Sequence, residues 1–129
     1  MRAKQIAVYD TLAEDCHVTA EALRECFSRA GVKMAVKEFT GRDAFVYDFR
    51  DNHYDMAFVG IGSILDMEAA RGVQGMDESC PLFLVSHFAE YALEGFKINA
   101  LDYIVKPLTW QRAREAISRT EPIFDDKEP

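Results

Sequence analysis

Apolar residues fall along this chain in short runs that switch between two periods, and the alternation predicts a repeating strand-helix architecture. Gln5 to Tyr9 is a short apolar-leaning run ended by polar Asp10-Thr11, which reads as a buried strand running into a loop. Cys16, Ala20, Leu23, Phe27 and Ala30 then recur at steps of four and three, the period of one helix face, and Gly31 supplies the stop. Val32, Met34 and Val36 alternate with Lys33, Ala35 and Lys37 in a half-exposed strand pattern that suits the edge of a sheet. A second helix is expected from Arg42 to Arg50, with Phe45 and Phe49 one turn apart, broken by Asp51-Asn52.

Met56 to Ile61 is apolar and holds no charge, as expected of a central strand covered on both faces. Ile64 to Val73 predicts a short helix with Gly72 and Gly75 near its end, and Pro81 to Val85 another fully apolar strand. Ala89 to Ile98 reads as a helix, Tyr103 to Val105 as a short strand stopped by Pro107, and Thr109 to Arg119 as a last helix with Thr109 as its N-cap. Strict alternation of this kind implies an α/β doubly wound, five-stranded parallel sheet with right-handed crossovers, whose functional site lies at the carboxyl ends of the strands. One domain is expected over 1–120, followed by a polar tail with linker character over 121–129.

Composition narrows the field. Hydrophobic residues make up 49% and charged residues 29% of the 129 residues, the balance of an ordinary globular protein. No apolar run approaches the roughly 20 residues of a spanning helix, so a soluble, cytoplasmic protein is expected. The net charge of -7, with scattered basic residues, argues against nucleic-acid binding by this segment. Cys16, Cys26 and Cys80 lack the close spacing of zinc sites and read as reduced core residues.

The loops after the strands carry the candidate chemistry: Asp10-Thr11, Gly60-Ile61-Gly62-Ser63, Ser86-His87 and Lys106-Pro107. Together with the ungapped run from Val85 to Pro107, and above all Tyr91-Ala92-Leu93-Glu94-Gly95-Phe96, Ala100-Leu101-Asp102-Tyr103 and Lys106-Pro107, they make the chain resemble the receiver domains of two-component response regulators of the LytTR type. The resemblance implies a flavodoxin-like fold with strand order 2-1-3-4-5. It also implies a site with an acidic pair after the first strand, a phosphoacceptor aspartate after the third, Ser or Thr after the fourth and Lys-Pro after the fifth. In such a site the aspartate attacks phosphorus, Mg2+ neutralises the transferring group, and the Lys and Ser or Thr bind phosphoryl oxygens.

Several positions depart from that pattern. Gly60 stands where the phosphoacceptor belongs and has no nucleophile. The following loop is short and lacks the family's Met-Pro-Gly segment, and only Asp10 of the acidic pair is present, with Thr11 beside it. Loss or weakening of the Mg2+ site is therefore expected, with no cofactor in its place. Asp66 is the one displaced acceptor to weigh, although a solvated carboxylate at a helix start is the plainer reading, and Ser63 reads as an N-cap. Ser86 and Lys106 remain at the pocket, where Ser86 suits capping of backbone groups and Lys106 suits pairing with Asp10. His87 lies beside them, whereas His17 and His53 carry no signal. Tyr103 matches the family's switch aromatic, which moves between exposed and buried positions.

The resemblance thus implies a phosphorelay-family receiver, not an enzyme, acting through protein docking or homodimerisation to regulate an output. The expected surface is the face of the fourth helix, fifth strand and fifth helix, with Phe88, Tyr91, Phe96, Ile98, Tyr103 and Trp110 as candidates, and a C-terminal DNA-binding domain is compatible with the tail. Two alternatives remain open: an ordinary receiver phosphorylated on a displaced residue such as Asp66, and a flavodoxin-like cofactor binder. The second needs a phosphate-cradling first loop, and Asp10-Thr11-Leu12-Ala13-Glu14-Asp15 is acidic there.

Overall fold

The computed structural model describes residues 2–120, so the tail assigned to 121–129 lies outside the described residues. Five parallel strands, β1 (Lys4–Tyr9), β2 (Met34–Phe39), β3 (Met56–Ile61), β4 (Leu82–Ser86) and β5 (Asp102–Val105), form one sheet in the order β2-β1-β3-β4-β5. The connecting helices are α1 (Ala13–Ala30), α2 (Arg42–Asp51), α3 (Ile64–Met76), α4 (Ala92–Lys97) and α5 (Trp110–Ile117). None of these helices is long and apolar enough to cross a membrane.

The period of two along each strand sorts the core into two layers. Ile6, Val8, Met56, Phe58, Phe83, Val85 and Ile104 face α1 and α5, where they meet Leu23, Phe27, Ala113 and Ile117. Ala7, Tyr9, Ala57, Val59, Ile61, Leu82 and Leu84 face the other side, where they meet Phe45, Phe49, Met67 and Val73. Every residue of β3 is buried, as its uninterrupted apolar run requires, while β2 at the sheet edge alternates between half-buried and exposed positions. Phe58 and Phe83 are register partners on β3 and β4, and their rings stack at 4.6 Å.

Local signals account for three of the helix ends. Gly31 caps α1 in the left-handed region, φ 70°, with its N–H donating to carbonyls of the last turn. Ser63 and Thr109 each accept a hydrogen bond from a backbone N–H three residues on, Asp66 and Arg112 respectively, and so cap α3 and α5 as expected. Most boundaries shift by one or two residues from the sequence reading, and two elements differ more. α3 runs on through Gly72 and Gly75 to Met76, because packing of Ala69, Ala70 and Val73 on the sheet outweighs the weak helix preference of glycine. The expected helix over 89–98 divides into a 3-10 turn at Ala89–Tyr91 and the short α4. Gly95 brings α4 close to the sheet, since a Cβ there would lie 2.9 Å from Leu84 Cδ1.

Cys16, Cys26 and Cys80 are free and buried. Desolvation pushes the Cys16 and Cys26 thiols up to about 11 and the Cys80 thiol up to about 12. All three are therefore protonated, unreactive core groups at neutral pH.

Candidate functional site

The site is built where the carboxyl ends of β1, β3, β4 and β5 converge. Asp10 follows β1, its N–H donating to Phe39 O at 3.1 Å and its Oδ1 accepting from Leu12 N–H at 3.0 Å. Lys106 follows β5 and is held to β4 by its own N–H, which donates to Ser86 O at 2.9 Å. The Lys106 ammonium stands 2.6 Å from Asp10 Oδ2 and donates to Asp15 Oδ2 at 2.9 Å. The Lys106 and Asp10 side chains are each only 5% exposed, so this is an interior ion pair, with Asp15 as its more solvated third member.

Pairing of Lys106 with Asp10 agrees with the sequence reading, but Asp15 was not singled out there. Its place in the first turn of α1 brings its carboxylate back over the end of β5, and it also lies 3.2 Å from His87 Nε2. Thr11, assigned to the same pocket, is exposed.

Burial disfavours the Lys106 ammonium, yet hydrogen bonds and charge from Asp10 and Asp15 outweigh it and raise its pKa above the ordinary lysine value. The Lys106 hydrogen bond in turn holds the Asp15 carboxyl below its ordinary value. A lowered carboxylate adds stability that is present above its unfolded value of 3.8 and lost as pH falls further. A raised lysine or thiol adds stability that is present below its unfolded value, 10.5 or 9.0, and lost as pH rises through the folded one. The urea unfolding midpoint is accordingly expected to fall below about pH 4 and again between about pH 9 and 11, with the buried thiols leading the alkaline loss. A midpoint unchanged from pH 8 to 11 would contradict the burial of those thiols.

Gly60, register partner of Val85 in β3, is where the pocket departs most from its expected form. A Cβ built on Gly60 would fall inside the Asp10 carboxylate and only 2.9 Å from Asp10 Cβ. The space beside Gly60 is thus not a vacated pocket but is filled by Asp10. No side chain of any kind fits at position 60 while Asp10 stays in place.

Asp66 corrects an expectation. It is not a solvated residue at a helix start but is 2% exposed, and both oxygens are engaged. Oδ1 accepts from Tyr9 OH at 2.8 Å and Oδ2 from Gly62 N–H at 2.8 Å. The Tyr9 ring stacks on Phe45 at 5.1 Å, so its hydroxyl reaches across the layer to α3, and burial and the Asp66 carboxylate raise its pKa. A buried tyrosine needs a partner for its hydroxyl, and Asp66, in the first turn of α3, supplies it. Both oxygens being occupied leaves Asp66 poorly placed as a nucleophile.

Ser86 is fully buried and satisfied by backbone: its Oγ donates to Ile61 O at 2.6 Å and accepts from Phe88 N–H at 3.0 Å. Tyr103 is half-buried, its hydroxyl donating to Phe88 O. Ser86, Phe88 and Tyr103 therefore form one continuous path from the ion cluster toward α4.

The candidate docking residues divide. Phe96 is 64% exposed, Phe88, Leu93 and Val105 are also exposed, and Tyr91 is half-buried with its ring edge-on to Phe88. Ile98 is corrected: at 6% exposed it belongs to the core with Cys80, Leu82 and Leu84 and is not available to a partner. Trp110 packs partly on the α1–α5 core and is covered by Arg29, whose guanidinium lies 4.1 Å from the ring centre.

A Mg2+ ion would have to displace the Lys106 ammonium from Asp10 to gain carboxylate ligands here. Asp10 Oδ1 is taken by Leu12 and Oδ2 by Lys106, Gly60 brings no oxygen, and among the described residues no group of three or more His, Cys, Asp or Glu is arranged to hold a metal. A cleft of about 370 Å3 at the opposite end of the sheet, lined by His53, Asp55, Cys80 and Arg119 among others, lies away from this chemistry. Its charged groups are already paired, Asp55 with Gln5 N–H and His53, and Arg119 with Asp102.

Set against solved structures, the chain superposes on a response regulator receiver domain protein (CheY-like) from Methanospirillum hungatei with a TM-score of 0.74 at 15% identity, over 92% of this chain and 93% of that one. The fold is that of a receiver domain. The response regulator DrrB from Thermotoga maritima, an OmpR/PhoB homolog, matches with a TM-score of 0.71 at 19% identity, over 92% of this chain and 52% of the other. In sequence, 71 residues of this chain, 53% of it, are 30% identical to the transcriptional regulatory protein LytR of Staphylococcus aureus. That match spans only 28% of the length of LytR. No family model matches the chain.

Proposed function

We propose that this domain is a receiver-type module of two-component signal transduction that acts by protein docking, without phosphoryl transfer at position 60. The supporting observation is the Asp10 carboxylate in the space beside Gly60, where it is paired with Lys106. Lys106 and Ser86, the two groups that would hold phosphoryl oxygens, are bound to the protein itself. The module is then not an enzyme and takes no Mg2+ as cofactor.

Its output surface is the exposed apolar side of α4 and β5. Leu93 and Phe96 lie three residues apart on α4, one above the other on the same face, and Val105 is exposed on the edge strand. Phe88 and Tyr91 continue this patch toward the site. Similarity to transcriptional regulatory proteins supports control of an output domain or protein, and the charge of -7 argues against nucleic-acid contact by this domain. The acidic first loop, with Asp10 and Asp15 turned onto Lys106, speaks against a phosphate-bearing cofactor.

Sedimentation across a concentration series tests the surface. Self-association of the wild type is expected, weakened about tenfold or more, roughly 1.4 kcal/mol, by Phe96→Glu. A wild type that stays monomeric at high concentration would contradict homodimerisation, and an unaffected Phe96→Glu dimer would contradict this face.

A further inference from the structure

Lys106 is a buried cation whose charge is neutralised from within the fold. Asp10, one residue past β1, reaches it at 2.6 Å through space that only a glycine at position 60 leaves open. From Lys106 the connection continues without a gap: its N–H holds Ser86 O, Ser86 Oγ accepts from Phe88 N–H, and Phe88 O accepts from the Tyr103 hydroxyl. Phe88 is itself exposed and packs edge-on to Tyr91. The cluster and the apolar surface are thus joined by hydrogen bonds through one short loop.

We propose that Asp10 is a resident carboxylate ligand of Lys106, seated in the space Gly60 provides, and that it fixes the Ser86–Phe88–Tyr103 path in a single arrangement. The identities of residues 10 and 60 are then one device. A carboxylate that is part of the fold takes the place of an external charged input, and the loop bearing Phe88 is set by folding and not by modification. Asp15, shared between Lys106 and His87 at the solvent side, closes the cluster but does not occupy the space beside Gly60. Only the consequence for the Phe88 surface rests on the docking function proposed above. The coupling of Asp10 to Gly60 does not.

A double-mutant cycle separates the two. Gly60→Ala, Asp10→Ala and the double variant are compared by urea unfolding, and amide exchange is followed at Phe88 and Tyr103, with Val36 on the far edge strand as reference. Gly60→Ala alone is expected to lower the folding equilibrium constant at least about tenfold, and at least about tenfold less in the Asp10→Ala background. Exchange at Phe88 and Tyr103 is expected to speed up about tenfold in Asp10→Ala relative to Val36. Should Asp10→Ala not fold, Asp10→Asn keeps the volume and removes the charge. It is expected to speed exchange at the two amides while the Gly60→Ala cost persists. Equal Gly60→Ala costs in the Asp10 and Asp10→Ala backgrounds, a Gly60→Ala cost abolished by Asp10→Asn, or exchange at Phe88 and Tyr103 unchanged in both Asp10 variants, overturns the inference. Either result leaves the docking surface untouched, whereas a monomeric wild type would remove homodimerisation through that surface and leave the cycle intact.

Discussion

Lys106→Met is expected to lower the unfolding free energy by about 3–5 kcal/mol, the cost of leaving a buried charge without its partner. The methionine chain fills much of the same volume, so lost packing contributes little. What it leaves behind is Asp10, 5% exposed in its side chain, with Oδ2 facing no cation, and Asp15 nearby. Two carboxylates facing one another without the ammonium repel, and at least one is expected to take up a proton well above the ordinary carboxylate range. The loss should therefore shrink as pH is lowered toward about 5, which a simple packing defect would not do. Urea unfolding of the wild type and Lys106→Met at pH 7.5 and pH 5 reads both effects. A cost under about 1 kcal/mol, typical of a surface pair, would show that the cluster is not an interior one.

Gly60→Asp is the second large effect, and its sign runs against the family pattern. An aspartate placed at the end of the third strand of an otherwise intact receiver site would be expected to permit phosphorylation. Here the new Cβ would overlap the Asp10 carboxylate, and the new carboxylate would be a second negative charge beside it. Overpacking alone costs about 1–3 kcal/mol, and the like-charge contact adds to it, so a destabilisation of roughly 3 kcal/mol or more is expected. The variant should gain no phosphodonor reactivity unless Asp10 is also removed. A stable Gly60→Asp variant that is readily phosphorylated would mean that Asp10 leaves its place at little cost.

The sheet was legible in the sequence because its strands carry the pattern of parallel burial. Met56 to Ile61 has no charge, and the predicted limits of β3 coincide with the observed ones. The order β2-β1-β3-β4-β5 came from the resemblance and matches the structure. Gly72 and Gly75 misled, since glycine stops a helix only where no packed face carries it on. Within the site, Asp10, Ser86 and Lys106 were readable because each sits directly at a strand end. Asp15 was not, because a carboxylate in the first turn of a helix is already explained by the helix dipole, and nothing local says that it bends back to a lysine 91 positions later. Asp66 was read as solvated for the same reason. The signal that could have found it was Tyr9, a tyrosine inside an otherwise apolar strand whose hydroxyl had to end on a buried acceptor. Ile98 failed as an interface residue because apolar character alone does not say which face of a short helix it ends on.

Phosphoryl transfer is the most direct discriminator between a docking module and an ordinary receiver. The wild-type chain is incubated with acetyl phosphate and Mg2+, and its intact mass is measured. An unchanged mass is expected, since position 60 has no nucleophile and Lys106, Ser86 and Asp66 are bound within the fold. A stoichiometric gain of about 80 Da, the mass of one phosphoryl group, would contradict the proposal.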